Sequence, residues 1–319
     1  MVERRKTAYV TGKKFKHYRH GHRLSSTGGA SGIGRALIEN LVVRGIKTVV
    51  ADINFPAAET FAKSLNHVHA QWWSLPPESE DIIATAVQVD ITSWDSQVDA
   101  FKAMLQSVDG RVDYVFAIAG IGERSWLPPF DPATPRSEGD FVKPDLSVLD
   151  ADLNGTLNTV ALAVQQMRRQ EASDDGFRGK IAVAASICGF YCVPTLPVYT
   201  AAKHGAVGFV RSYGKLLASQ GIGLNAVCPS IVRTSISKPE FYQQCETKGL
   251  LAHMNNVVAA FEECILGSCK GGECLEVGPR TEPFSRRDAA EYLDEESRQT
   301  CDVLLDRGMP LHVKQTPNA

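Results

Sequence analysis

Tyr199 and Lys203 stand four residues apart in "VYTAAK", and Ser186 stands thirteen residues before Tyr199. Positions i and i+4 share one face of a helix, so a phenol and an ammonium are brought side by side there. A phenol, an ammonium and a hydroxyl together are the groups of proton-transfer chemistry. Alone, a Tyr and Lys at this spacing read as a surface pair on a helix. A serine at the end of a strand just before them, inside a nucleotide-binding pattern, reverses that reading.

The nucleotide pattern is the turn Thr27-Gly28-Gly29-Ala30-Ser31-Gly32-Ile33-Gly34, which opens a helix. Backbone N–H groups at a helix N-terminus meet a pyrophosphate, and glycines let the chain approach it closely. Gly28, Ser31, Gly32, Ile33 and Gly34 are therefore candidate cofactor contacts. Asp52 ends the next strand, eighteen residues after Gly34, where an acid accepts hydrogen bonds from the adenosine ribose of NAD. A 2′-phosphate there would face a like charge, and neither Lys nor Arg stands at Ser31 or directly after Asp52. NAD is favoured and NADP is the alternative.

The elements that must hold these residues alternate along the chain. Short β-branched runs, "TAYV" (7–10), "TVVAD" (48–52), "AVQVD" (86–90), "VDYVFAIAG" (112–120), "KIAVAAS" (180–186) and "GLNAVCP" (223–229), predict six strands. Amphipathic patterns over 34–45, 96–108, 146–170 and 199–220 predict helices between them, with connections long enough for right-handed crossovers. The fold class is α/β, a doubly wound parallel sheet (Rossmann fold) in one domain over 1–285. A helix over 287–308 and a tail fill 286–319. Two stretches, 66–85 and 124–144, read as surface loops.

With these motifs in order from Thr7 to Pro279, the chain resembles the short-chain dehydrogenase/reductase family, of the T-G-x-x-x-G-x-G and Y-x-x-x-K type. The resemblance implies an oxidoreductase that interconverts a secondary alcohol and a ketone with a nicotinamide cofactor, acting as a homo-dimer or homo-tetramer. Tyr199 would be the general acid/base. A free phenol titrates near 10, so the Lys203 ammonium beside it should favour the phenolate. Lys203 would also hold the nicotinamide ribose, and Ser186 would hydrogen-bond the substrate oxygen.

The same resemblance places Asp90 and Ile91 at the adenine, Ala119 and Gly120 along the cofactor, and Val232 and Thr234 at the carboxamide and its phosphate side. Residues 235–255, with Phe241 and Tyr242, would form a lid over substrate. The chain departs from the family in three places. Ala117-Ile118-Ala119-Gly120 stands for Asn-Asn-Ala-Gly, Pro229-Ser230 for Pro-Gly, and Asp152 for a catalytic Asn. An extended-branch epimerase or dehydratase would need another glycine spacing and a larger substrate domain. A non-catalytic nucleotide-binding or regulatory protein is the rival from another class.

Composition narrows the rest. A net charge of -2 argues against nucleic acid as partner, although the first 23 residues carry eight Lys and Arg against Glu3 alone. That run reads as a solvated segment. No apolar run approaches a membrane span and no signal peptide is visible, so a cytoplasmic protein is expected. Eight scattered cysteines then read as reduced thiols. Cys264, Cys269 and Cys274, spaced C-x4-C-x4-C, lack the close pairs of a zinc site, and His17, His20 and His22 have no carboxylate or thiol beside them. No metal is expected.

Thr-Gly occurs twice, at Thr11-Gly12 and Thr27-Gly28, separated by a basic stretch without apolar period. Deleting 13–28 joins Gly12 to Gly29 and restores "KTAYVTGGASGIG". The deletion is sixteen codons, and its ends can be encoded with splice-donor and splice-acceptor sequences in matching phase. The segment reads as a translated short intron, pointing with the family resemblance to fungal secondary metabolism. The alternative is a surface insertion that loops out and back.

Overall fold

The computed structural model describes residues 6–12, 28–72, 74, 82–130, 141–280 and 283–312. Most of the 13–28 insertion, its three histidines, the first basic residues, and the centres of the two expected loops lie outside the described residues. The chain divides into two compact units, Met1–Arg287 and Asp288–Ala319.

The first unit is one eight-stranded sheet in the order β3-β2-β1-β4-β5-β6-β7-β8. Its strands are β1 (Thr7–Gly12), β2 (Lys47–Asp52), β3 (Ala84–Gln88), β4 (Tyr114–Ala117), β5 (Gly179–Ala184), β6 (Ile222–Pro229), β7 (Cys274–Val277) and β8 (Ser285–Arg286). All neighbours are parallel except β7 and β8. The helices are α1 (Gly32–Val43), α2 (Phe55–Trp72), α3 (Trp94–Ser107), α4 (Ser147–Leu149), α5 (Gly155–Met167), α6 (Pro197–Ala218), α7 (Pro239–Thr247) and α8 (Met254–Leu266).

Alternation along each strand feeds two cores. Tyr9, Val49, Ala51, Val115, Ile181 and Val183 point to the face covered by α3, α5 and α6. Ala8, Val10, Val50, Phe116, Ala182 and Val227 point to the face covered by α1, α2 and α8. Edge-on ring pairs tie each layer to the sheet: Tyr9 meets Phe101 of α3 at 5.5 Å, and Phe116 meets Phe261 of α8 at 6.0 Å.

The six expected strands and four expected helices are present, with shifted ends. Several readings need correction. The stretch 66–85 is not all loop: α2 runs to Trp72, and β3 starts at Ala84. β7, β8, α2, α7 and α8 were not foreseen as elements. α1 stops as expected at Gly45, whose φ of +72° is open to glycine. There the Gly45 N–H donates to Val42 O and the Ile46 N–H to Leu41 O, satisfying carbonyls at the helix end.

The second unit holds α9 (Glu295–Gly308), beginning later than the expected 287, and a 3-10 turn Met309–Leu311. Asp294 caps α9 by accepting from the Ser297 N–H at 2.8 Å.

Candidate active site

The sheet order reverses direction between β1 and β4, and in such sheets ligands bind in the crevice beyond the carboxyl ends of the strands at that switch. Gly12 ends β1 opposite Asp52 of β2. The chain re-enters beside that point. A Cβ on Gly29 would stand 2.8 Å from Ala51 O and 3.0 Å from Val10 O, and one on Gly34 only 2.3 Å from Gly28 O. The turn is thus packed backbone to backbone on the ends of β1 and β2, with α1 opening from it. Ser31 accepts the Gly28 N–H at 3.0 Å, closing the turn.

Asp52 is buried at this edge, and its two oxygens accept the Ala30 N–H at 3.2 Å and the Asn54 N–H at 2.9 Å. The acid predicted for ribose is thereby fixed to the glycine turn. A glycine turn packed too closely on its own backbone for a Cβ at Gly29 or Gly34, a helix N-terminus and a buried acid on the adjacent strand fit a dinucleotide. Gly29 and Ala30, quoted in the turn but absent from the candidate contacts, belong to this cradle. Gly34→Ala should weaken NADH binding at least about tenfold, because the new methyl meets a carbonyl that the turn cannot move. Fluorescence titration checks this, with circular dichroism to confirm folding.

Asp90 is engaged in its own turn, accepting Thr92 N–H at 2.9 Å and Thr92 Oγ1 at 2.6 Å. Ile91 is buried, and its carbonyl accepts from Gln97 Nε2, which also reaches Gly155 O at 3.0 Å. Val232 is buried beyond β6. Thr234 Oγ1 lies 3.1 Å from the Tyr242 hydroxyl, which accepts the Ser237 N–H at 3.2 Å. The segment after β6 is therefore built around the buried Tyr242 of α7, with the exposed Phe241 edge-on to it at 5.6 Å.

Ser186, Tyr199, Lys203 and Asp152 come together. Between α4 and α5 the helix widens into a π turn, Asp150–Asn154, a distortion frequent at functional sites. From it the buried Asp152 carboxylate reaches two groups. Oδ1 accepts the Ile121 N–H at 2.7 Å, just past Ala119 and Gly120, and Oδ2 pairs with Lys203 Nζ at 3.1 Å. Lys203 also donates to Ala184 O at 3.2 Å, at the end of β5. Its ammonium lies 5.3 Å from the Tyr199 ring. Ser186 caps the short turn Ile187–Gly189, accepting the Cys188 N–H at 3.2 Å.

The charges interact as follows. Burial raises the Tyr199 phenol above its ordinary value. Lys203 pulls it back, Asp152 pushes it up, the hydrogen bond with Ser186 lowers it and Cys188 raises it slightly. Burial pulls Lys203 down, but Asp152 and then Tyr199 outweigh this and leave the ammonium above its ordinary value. Lys203 acts on Tyr199 in the expected direction, favouring the phenolate, while desolvation and then the Asp152 charge act the other way and leave the phenol above its ordinary value.

The sequence model of the short chain dehydrogenase family matches residues 25–244. The chain belongs to that family. The match begins downstream of β1, at residue 25, within the last four residues of the 13–28 stretch.

Relatives of this family member include the short-chain dehydrogenase/reductase prx7 of Penicillium rubens, 38% identical over 46% of this chain and 51% of that one. Another is prx4 of Penicillium roqueforti, 32% identical over 66% and 54%. Human 15-hydroxyprostaglandin dehydrogenase [NAD(+)] is 28% identical over 66% and 68%. The matched region spans little more than half the length of the two Penicillium relatives. Among solved structures, 3-hydroxyacyl-CoA dehydrogenase type-2 from Mycobacterium avium superposes with a TM-score of 0.62 over 85% of this chain and 93% of that one, at 21% identity. It shares the fold.

Proposed function

We propose that the protein is a nicotinamide-dependent oxidoreductase that interconverts a secondary alcohol and a ketone. The observation that carries this reading is the cluster of the half-buried Tyr199 with the buried Lys203 and Asp152, Ser186 at its edge, at the carboxyl end of the sheet beside the glycine turn.

The bound nicotinamide supplies the hydride acceptor or donor. The chain's residues handle the proton. In oxidation Tyr199 takes the hydroxyl proton of the alcohol, and in reduction it returns a proton to the carbonyl oxygen. Ser186 donates a hydrogen bond to the same oxygen as charge develops. Lys203 stays charged, stabilises the phenolate form of Tyr199 and offers its remaining N–H to the nicotinamide ribose. Asp152 holds Lys203 in place and sets the local charge.

Asp52 supports NAD over NADP, since a 2′-phosphate beside a buried carboxylate meets repulsion. The substrate is a small molecule covered by residues 235–255, and the working form is a homo-dimer or homo-tetramer in the cytoplasm. Among the described residues no helix is long and apolar enough to cross a membrane. The Penicillium sources of several relatives support a place in fungal secondary metabolism.

The test is a screen of purified protein, with and without residues 13–28, against secondary alcohols and ketones with both dinucleotides. NADH binding by fluorescence and turnover with NAD+ above NADP+ are expected. Binding without turnover on any substrate would favour a regulatory, non-catalytic protein, and no binding by either form would remove the reading.

A further inference from the structure

Helix α6 carries Tyr199 in its first turn, where N–H groups lack intrahelical partners. Pro197 opens the helix, its N-cap Leu196 supplies no side-chain acceptor, and no acid lies in its first turn. The Tyr199 N–H is met instead by Glu123 Oε2 at 2.8 Å, from a segment 76 residues earlier in the chain. A carboxylate here also faces the positive end of the helix.

Glu123 belongs to the strip that follows β4, and the strip is held at two points. At one end the Ile121 N–H donates to Asp152, which grips Lys203. At the other, Glu123 grips the backbone of Tyr199. The residue between them faces the lid, for a Cβ on Gly122 would meet Ile236 Cγ2 at 3.9 Å. Ile121–Glu123 thus braces both members of the Tyr199–Lys203 pair against the central strand β4. The second oxygen of Glu123, Oε1, is buried with no hydrogen-bond partner. An unmet buried acceptor is costly, and a local Ser or Asp cap at position 196 would have avoided it.

We propose that Glu123 is a positioning residue for Tyr199: by accepting its N–H from the β4 strip, it fixes where the phenol stands relative to Lys203 and the substrate oxygen. This rests on the acid–base reading of Tyr199, and it assigns Glu123 no contact with substrate or cofactor.

The test compares Glu123→Ala and Glu123→Gln in the full chain, with Tyr199→Phe as reference. Glu123→Ala should lower kcat about ten- to a hundredfold on the best alcohol of the screen, with KM and NADH affinity within about twofold. Glu123→Gln retains an acceptor and should recover most of the rate. Without any substrate, the tyrosinate absorbance attributable to Tyr199, taken as the difference from the matching Tyr199→Phe protein, should titrate at a displaced pH in Glu123→Ala and not in Glu123→Gln. Parental kcat and titration in Glu123→Ala would overturn the proposal. So would a Gln variant as impaired as Ala, or a parallel loss of NADH affinity and thermal stability, which marks a merely structural cap. If Tyr199→Phe itself turns over normally, the acid–base reading falls, while the titration still decides whether Glu123 places the phenol.

Discussion

Tyr199→Phe should reduce turnover roughly 10²- to 10⁴-fold, the range that a positioned acid or base contributes. The ring that packs beside Lys203 is kept and only the hydroxyl is lost. NADH affinity should therefore stay within about twofold and the thermal midpoint nearly unchanged, so the loss appears in kcat. Initial rates on the best alcohol and its ketone measure this; undiminished turnover would remove Tyr199 from the mechanism. The parent enzyme should also show a pH dependence of fixed sign. Tyr199 titrates above an ordinary phenol, chiefly through burial, so the proton-donating form persists through neutral pH. Ketone reduction should hold its rate across neutrality and fall as pH rises through that value, while alcohol oxidation should climb over the same interval.

Asp152→Asn carries the second large effect. The carboxylate raises the titration point of both Tyr199 and Lys203. The groups facing Tyr199 are Lys203 on its own helix, Asp152 on the π turn, and Ser186 and Cys188 on the turn after β5. Asparagine keeps an acceptor for the Ile121 N–H but removes the charge. The oxidation limb of the pH–rate profile should then move to lower pH, and the reductase reaction should lose rate at a lower pH than in the parent. A profile that stays in place, or moves up, would refute this account of the site's charge. Asp152→Ala is the harsher change, because it leaves the buried Lys203 ammonium without its partner. Breaking a buried pair from one side typically costs about 3–5 kcal/mol, so a large fall in denaturation midpoint should accompany it, whereas Asn should lose much less.

The legibility of this molecule varied with the range of the interaction. Runs such as "TVVAD" and "KIAVAAS" announce strands locally, and Tyr199 and Lys203 announce their shared face by a spacing of four. Helix α2 was missed although Ala58, Phe61, Ala62, Leu65 and His69, all buried, recur at helical spacing, and the Trp and Pro residues that follow drew 66–85 toward loop. The four-residue β7 and two-residue β8 are too short to carry a period. No spacing in the sequence could show that Glu123 accepts the Tyr199 N–H, since only the fold brings the strip after β4 to the first turn of α6. The burial that opposes Lys203 at Tyr199 was illegible for a similar reason, because an adjacent lysine is visible in the sequence and desolvation is not.

The return of the chain to the end of β1 also bears on how the sheet assembles. β1 lies between β2 and β4, so the sheet cannot close without it. In a chain where strand runs straight into turn, β1, the glycine turn and α1 can condense as one local unit. Here the segment between Gly12 and Gly29 must first be closed into a loop, at an entropic cost on the order of 2 kcal/mol. The central strand thereby becomes a non-local partner, raising the contact order at the heart of the sheet.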